Sequence, residues 1–222
     1  MKKKWMGGLL ALALAALCML PTQVQAASTS TTEKHMHGDV ECILWTDERA
    51  REQCGPNSTA SNSLPYVDYG QLGIYCLTKD VYLPKDWTPY TWWGGTNSLT
   101  ICLNGHTITV KDGADYTYYV TRSHTLNIVD CQGSGVINGG GTAAGGRAGV
   151  KVETYGTFNL YAGTIKGFGH GVLLDRTTYG SVTFNMYGGT ITGNSANYGG
   201  GVYMKSGTFN MYGGTIENNT SS

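Results

Sequence analysis

In the stretch Thr183-Phe184-Asn185-Met186-Tyr187-Gly188-Gly189-Thr190-Ile191-Thr192-Gly193-Asn194, apolar Phe184 and Met186 alternate with Asn185 and Tyr187. That alternation predicts a strand with one buried face. A glycine pair, a short Thr-Ile strand and Gly-Asn follow, and glycine supplies the backbone freedom of a sharp corner. The pattern returns as Thr208-Phe209-Asn210-Met211-Tyr212-Gly213-Gly214-Thr215-Ile216, and more loosely as Thr157-Phe158-Asn159-Leu160-Tyr161-Ala162-Gly163-Thr164-Ile165. Phe158, Phe184 and Phe209 are spaced by 26 and then 25 residues, a structural repeat. Ahead of each anchor lies another short apolar strand, marked by Val150/Val152, Val172/Leu174 and Val202/Met204.

One such unit cannot bury its apolar face alone, so copies must stack, strand beside equivalent strand. Weaker copies extend the series upstream. Leu126-Asn127-Ile128 stands in the place of Phe-Asn-Met, with Tyr118 and Val120 ahead of it, and Leu99-Thr100-Ile101-Cys102 precedes that. The steps here are 27 and 32 residues, and the extra length is assigned to a glycine-rich loop over 139–146. The expected fold is all-β: a right-handed parallel β-helix (solenoid) of about five coils over residues 74–222, its hand taken from the rule for parallel crossovers together with the resemblance given below. No segment has a helical apolar period, so no helix is expected in the mature chain. Residues 35–73 are read as an irregular N-terminal cap over strand edges that would otherwise be open. At the other end, Asn219-Thr220-Ser221-Ser222 stops where the preceding copy runs on, so the solenoid is expected to continue into further coils of a longer protein.

The first 26 residues do not fit this pattern. Lys2-Lys3-Lys4, an apolar run to Leu20 and Val24-Gln25-Ala26 read as a Sec-type signal peptide cleaved before Ala27, followed by a Ser/Thr-rich linker over 27–34. Export changes the charge. The 15 basic residues lose three lysines, leaving 12 against 15 acidic ones, a net charge of about −3. With few charges and no basic cluster, the chain is not expected to bind nucleic acid. No second apolar stretch is long enough to span a bilayer, so a secreted or cell-surface location is expected.

Tyr75-Cys76-Leu77-Thr78-Lys79-Asp80-Val81-Tyr82-Leu83, Ile101-Cys102-Leu103-Asn104-Gly105-His106-Thr107-Ile108 and the Phe-Asn-Met-Tyr-Gly-Gly-Thr-Ile units carry a resemblance. Residues 75–219 resemble large secreted right-handed β-helix repeat proteins of anaerobic bacteria. The likeness to the repeats of chlamydial polymorphic membrane proteins is architectural only. The resemblance implies a surface-exposed or cell-wall-attached, adhesin-like protein. The function expected from the whole sequence is a non-catalytic surface scaffold, with a glycan or a host or cell-surface ligand as the candidate partner.

Parallel β-helices also include polysaccharide lyases and hydrolases, which is the alternative function. These need clustered carboxylates, as Ca²⁺ ligands or as an acid/base pair. Asp130, Glu153, Asp175 and Glu217 are available, with Lys151, Arg122 and Arg176 as cations. No two of these carboxylates are read as recurring at the coil spacing, which argues against an enzyme. His35-Met36-His37, with Glu41 and Cys42, are metal ligands by type, but their spacing matches no common zinc pattern. They are read as a mobile, solvated N-terminus, and neither metal nor cofactor is expected. Gly139-Gly140-Gly141-Thr142-Ala143-Ala144 formally satisfies a dinucleotide glycine pattern but precedes no helix.

Beyond the signal peptide stand five cysteines: Cys42, Cys54, Cys76, Cys102 and Cys131. An exported chain can form disulfides, and Cys42–Cys54 would staple the cap. Cys102 and Cys131 fall in successive coils, one or two positions out of line, and are read as small packing groups. Tyr161, Tyr187 and Tyr212 recur once per coil and are expected to point outward about 4.8 Å apart. Such a row would either stack on sugar rings, a carbohydrate-binding module, or form a self-stacking ladder beside Asn159, Asn185 and Asn210. The ladder is the favoured reading.

Overall fold

A computed structural model of the chain describes residues 35–37, 39–54, 56–65, 74–84, 98–110, 114–141, 147–175 and 180–222. The expected signal peptide and linker over residues 1–34, Arg176 and most of the 139–146 loop fall outside these residues. Three parallel sheets wind into a β-solenoid of about five turns. The first has seven strands, stacked in chain order: Ile43–Trp45, Ile74–Leu77, Ser98–Cys102, Thr125–Val129, Thr157–Leu160, Thr183–Met186 and Thr208–Met211. The second has six strands, from Val81–Leu83 to Thr215–Glu217. The third has four: Tyr116–Val120, Ala148–Val152, His170–Leu174 and Val202–Met204.

The register follows the repeat residue for residue. Leu99 pairs with Leu126, Leu126 with Phe158, Phe158 with Phe184 and Phe184 with Phe209. Identical side chains therefore meet inside. Phe158 and Phe184 stack at 5.0 Å with ring planes 9° apart, and Phe184 and Phe209 at 4.9 Å and 7°. The second sheet sends Ile108, Ile137, Ile165 and Ile191 into the same core, and the third sends Val150, Val172 and Leu174. Corners need glycine where turn meets turn. Gly189 has φ +79°, and a Cβ there would stand 2.7 Å from the carbonyl oxygen of Gly163.

On the outer face of the first sheet the asparagines form a ladder. Asn159 Nδ2 donates to Asn127 Oδ1 at 2.8 Å, Asn185 to Asn159 at 2.8 Å and Asn210 to Asn185 at 2.9 Å. Asn127 ends the row on the hydroxyls of Ser98 and Thr100. Each amide thus finds its partner in the adjacent turn at the strand spacing.

At the N-terminal end Trp45 is fully buried and meets Tyr75 edge-on at 6.1 Å, while its indole N–H donates to the Ser63 carbonyl. Ala50, Ala60 and Leu64 join it in the interior core. One expectation is corrected here, because a helix, α1, covers Asp47–Cys54. It buries only Ala50, so it has no apolar stripe for a periodicity argument to find. Its start is fixed by polar chemistry instead. Thr46 Oγ1 accepts the Arg49 amide, and Asp47 and Glu48 stand in the positively polarised first turn. At the far end the interior is open, and Met211 is 49% exposed where Met186, its partner one turn before, is buried. Among the described residues no helix is long and apolar enough to cross a membrane.

Candidate functional site

One outward-facing column runs the length of the first sheet. Leu44 pairs with Cys76, Cys76 with Cys102 and Cys102 with Val129. Tyr161 continues the line one residue beyond the Leu160–Ile128 pair, and Tyr187 and Tyr212 follow. The three tyrosines stack as expected, at 4.8 Å and 6° between Tyr161 and Tyr187 and at 5.0 Å and 12° between Tyr187 and Tyr212. They are not a uniformly exposed row, however. Tyr161 is buried at 5% exposure, Tyr187 is half-buried and Tyr212 is 66% exposed. The gradient arises because Tyr161 packs into a second apolar cluster with Cys42, Ile74, Cys76, Cys102 and Val129, outside the solenoid interior. A flat aromatic platform across all three rings is therefore excluded, and Tyr212 is the ring open to solvent. Burial, then the neighbouring Tyr187, pushes the Tyr161 hydroxyl up to about 12.

The same column explains the cysteines. Cys42 forms a disulfide with Cys76, not with Cys54. Cys42 immediately precedes the Ile43–Trp45 strand and lies on the outer face, beside the column that holds Cys76. Cys54 ends α1 on the inner side, where it packs against the interior core and its thiol meets the Leu64 carbonyl. The sheet separates the two.

Above this column a hairpin of Met36–His37 and Val40–Glu41 folds down. His37 is buried at 5% exposure and His35 is half-buried, so neither belongs to a solvated tail. Cys131 lies two residues past Val129 and points to the same face. Its Sγ is 2.9 Å from Cys102 Sγ, 3.1 Å from His35 Nε2 and 3.0 Å from His37 Nε2. His37 Nε2 also reaches Cys76 Sγ at 3.8 Å. The Cys131 contact first, and His35 and His37 after it, outweigh burial and hold the Cys102 thiol well below its ordinary range. Glu41 is exposed on the outer strand of the hairpin.

A third arrangement lies on the third sheet. Val152 pairs with Leu174, so Glu153 and Asp175, the next residue in each strand path, occupy equivalent places in successive turns. The expectation that no two carboxylates share the coil spacing is thus corrected. Lys151 Nζ sits between them, 2.6 Å from Glu153 and 3.0 Å from Asp175, and Lys205 Nζ is 2.9 Å from Asp175. Tyr119 donates its hydroxyl to Glu153, and Lys151 lies over the Tyr116 and Tyr119 rings. Burial alone would lower Lys151, but the hydrogen bonds of Glu153 and Asp175 hold it above its ordinary value. Two ammonium groups thus face two carboxylates in a balanced network. The other acids stand apart from it. Asp130 accepts the amides of Gly105 and Gly135 and braces a corner, while Glu217 and Arg122 are exposed.

The histidine–cysteine cluster forms no linear motif, because its ligand types come from three separate segments. The signal that does exist is positional: Cys76 and Cys102 fall in one register column, with Cys131 two residues past it. No protein family, curated protein or solved structure matches this chain.

Proposed function

We propose that this chain is an exported, adhesin-like scaffold without catalytic activity, in which the solenoid carries a surface rather than a reaction site. The observation that supports it is how the recurring polar and aromatic side chains are engaged. The asparagines bond to one another, the inner tyrosines stack on one another, and the lysines neutralise the paired carboxylates. A general acid must reach a substrate oxygen, and these carboxylate oxygens are instead taken up by ammonium groups at 2.6–3.0 Å. Export rests on the Lys2-Lys3-Lys4 leader pattern, and the surface role on the resemblance of residues 75–219 to secreted β-helix repeat proteins. Incubation with pectins and alginate should release no unsaturated uronate products and no new reducing ends, and either product would overturn the reading.

A second reading is a polysaccharide-active enzyme, favoured by the placement of Glu153 and Asp175 in adjacent turns. Under it, Glu153→Gln would abolish any turnover while leaving Tm within a few degrees. A glycan-binding role would centre on Tyr212, the exposed member of the column.

A further inference from the structure

Four donor atoms converge beneath the N-terminal hairpin: His35 Nε2, His37 Nε2, Cys102 Sγ and Cys131 Sγ. Three contacts, all to Cys131, measure 2.9, 3.1 and 3.0 Å. The donor atoms of His35, His37 and Cys102 lie within 4.8 Å of one another. An ion held by two nitrogens at about 2.0–2.1 Å and two sulfurs at about 2.3 Å stands in a tetrahedron with edges of about 3.3–3.8 Å. All three contacts to Cys131 are shorter than those edges, by about 0.5 Å for the two nitrogens and about 0.9 Å for the sulfur, so the Cys131 thiol would draw back from the other three as the cluster opens around an ion. Cys76 is also within reach but is bonded to Cys42, which leaves two thiols and two imidazoles.

We propose that His35, His37, Cys102 and Cys131 form a structural site for a tetrahedral divalent cation, with Zn²⁺ the best fit to this donor set. Soft thiolate with imidazole selects Zn²⁺ over the oxygen-seeking Mg²⁺ and Ca²⁺. The charge balance suits the place. Each thiol releases one proton on binding, and two thiolates cancel the two positive charges, so the loaded site is neutral where Cys102 is fully buried. Half-buried His35 and Cys131 leave a route for the ion on the solvent side. The sequence separations say what the site does. His35 and His37 come from the hairpin, Cys102 from the next turn but one and Cys131 from the turn after it, and the histidines are 96 and 94 residues from Cys131. One ion would clamp the hairpin over the outer cysteine column and tie it to the body of the solenoid.

The test uses the full chain, isolated under argon without reductant or chelator, with metal content read by plasma mass spectrometry. The metal-free form is then titrated with Co²⁺ as a spectroscopic probe. The expected result is one metal per chain, with a thiolate-to-cobalt charge-transfer band and the intense visible bands of tetrahedral cobalt. His35→Ala/His37→Ala should weaken Co²⁺ binding at least tenfold with an unchanged β circular dichroism spectrum. Cys54→Ser, on the other side of the sheet, should bind as the parent does. Peptide mapping that finds a Cys102–Cys131 disulfide and no metal overturns the proposal. So does cobalt bound without the thiolate band, or a double histidine variant that binds as tightly as the parent.

Discussion

Replacing Phe184 with alanine removes a ring held on both faces, and replacing Phe209 removes the same ring at the end of the stack. Phe184 is fully buried, with Phe158 5.0 Å away on one side and Phe209 4.9 Å away on the other. Truncating a buried Phe costs about 3–5 kcal/mol, because the lost transfer energy is joined by a cavity the rigid turns cannot close. Phe209 is half-buried and stacks on one side only, so less area and one ring contact are lost, about 1–2 kcal/mol. For a chain of this size these losses correspond to Tm decreases of about 6–20 °C for Phe184→Ala and about 2–8 °C for Phe209→Ala. Urea unfolding followed by far-ultraviolet circular dichroism would read the difference as a shift in midpoint at unchanged slope. A loss for Phe209→Ala equal to that for Phe184→Ala would refute the argument that depth in the stack sets the energy. A loss below about 1 kcal/mol for Phe184→Ala would refute the packing itself.

Alkali should unfold the chain through its tyrosines. Burial raises Tyr118, and burial with the Glu153 hydrogen bond pushes Tyr119 up to about 12, as burial does for Tyr161. The folded chain therefore holds these protons more tightly than the unfolded one. Stability is full below the ordinary tyrosine value of 10.0 and falls as pH rises from there through about 12. Tyrosinate absorbance and circular dichroism should change together in that window, and full ionisation near pH 10.0 with the fold intact would contradict it. Along the aromatic column, Tyr161→Ser should cost about 3 kcal/mol and Tyr212→Ser no more than about 0.5, measured by thermal melting. Equal costs would mean that the burial gradient has no energetic meaning.

The solenoid was legible because its contacts are between copies. When Phe158, Phe184 and Phe209 touch one another, the spacing that reveals the repeat also states the packing, and the Asn and Tyr columns come with it. The cap was not legible on those terms. α1 is specified by Thr46 at its N-terminus rather than by a stripe of apolar residues, and periodicity is blind to capping. The Cys42–Cys76 pairing depends on which face of the sheet each cysteine reaches, which spacing alone did not decide between Cys54 and Cys76. Glu153 and Asp175 were within reach of the sequence, since each directly follows an equivalent strand ending at Val152 or Leu174. Their alignment does not follow the 26-residue step from Phe158 to Phe184, because the step from Val152 to Leu174 on the third sheet is 22 residues. The histidine cluster was beyond any linear reading, because the N-terminal hairpin folds over the outer column and brings His35 and His37 to a cysteine more than 90 positions away.

The asparagine ladder bears on how such a chain changes length over generations. Asn159 and Asn185 each donate to the copy before and accept from the copy after, so every middle rung presents the same two surfaces. A gene segment encoding one 25-residue period, duplicated in frame, would insert a rung whose top fits the neighbour above and whose bottom fits the neighbour below. No compensating substitution is needed, and the rod grows by about 4.8 Å. The reach of the molecule is thus heritable in steps, and unequal recombination between near-identical copies becomes a means of adjusting it.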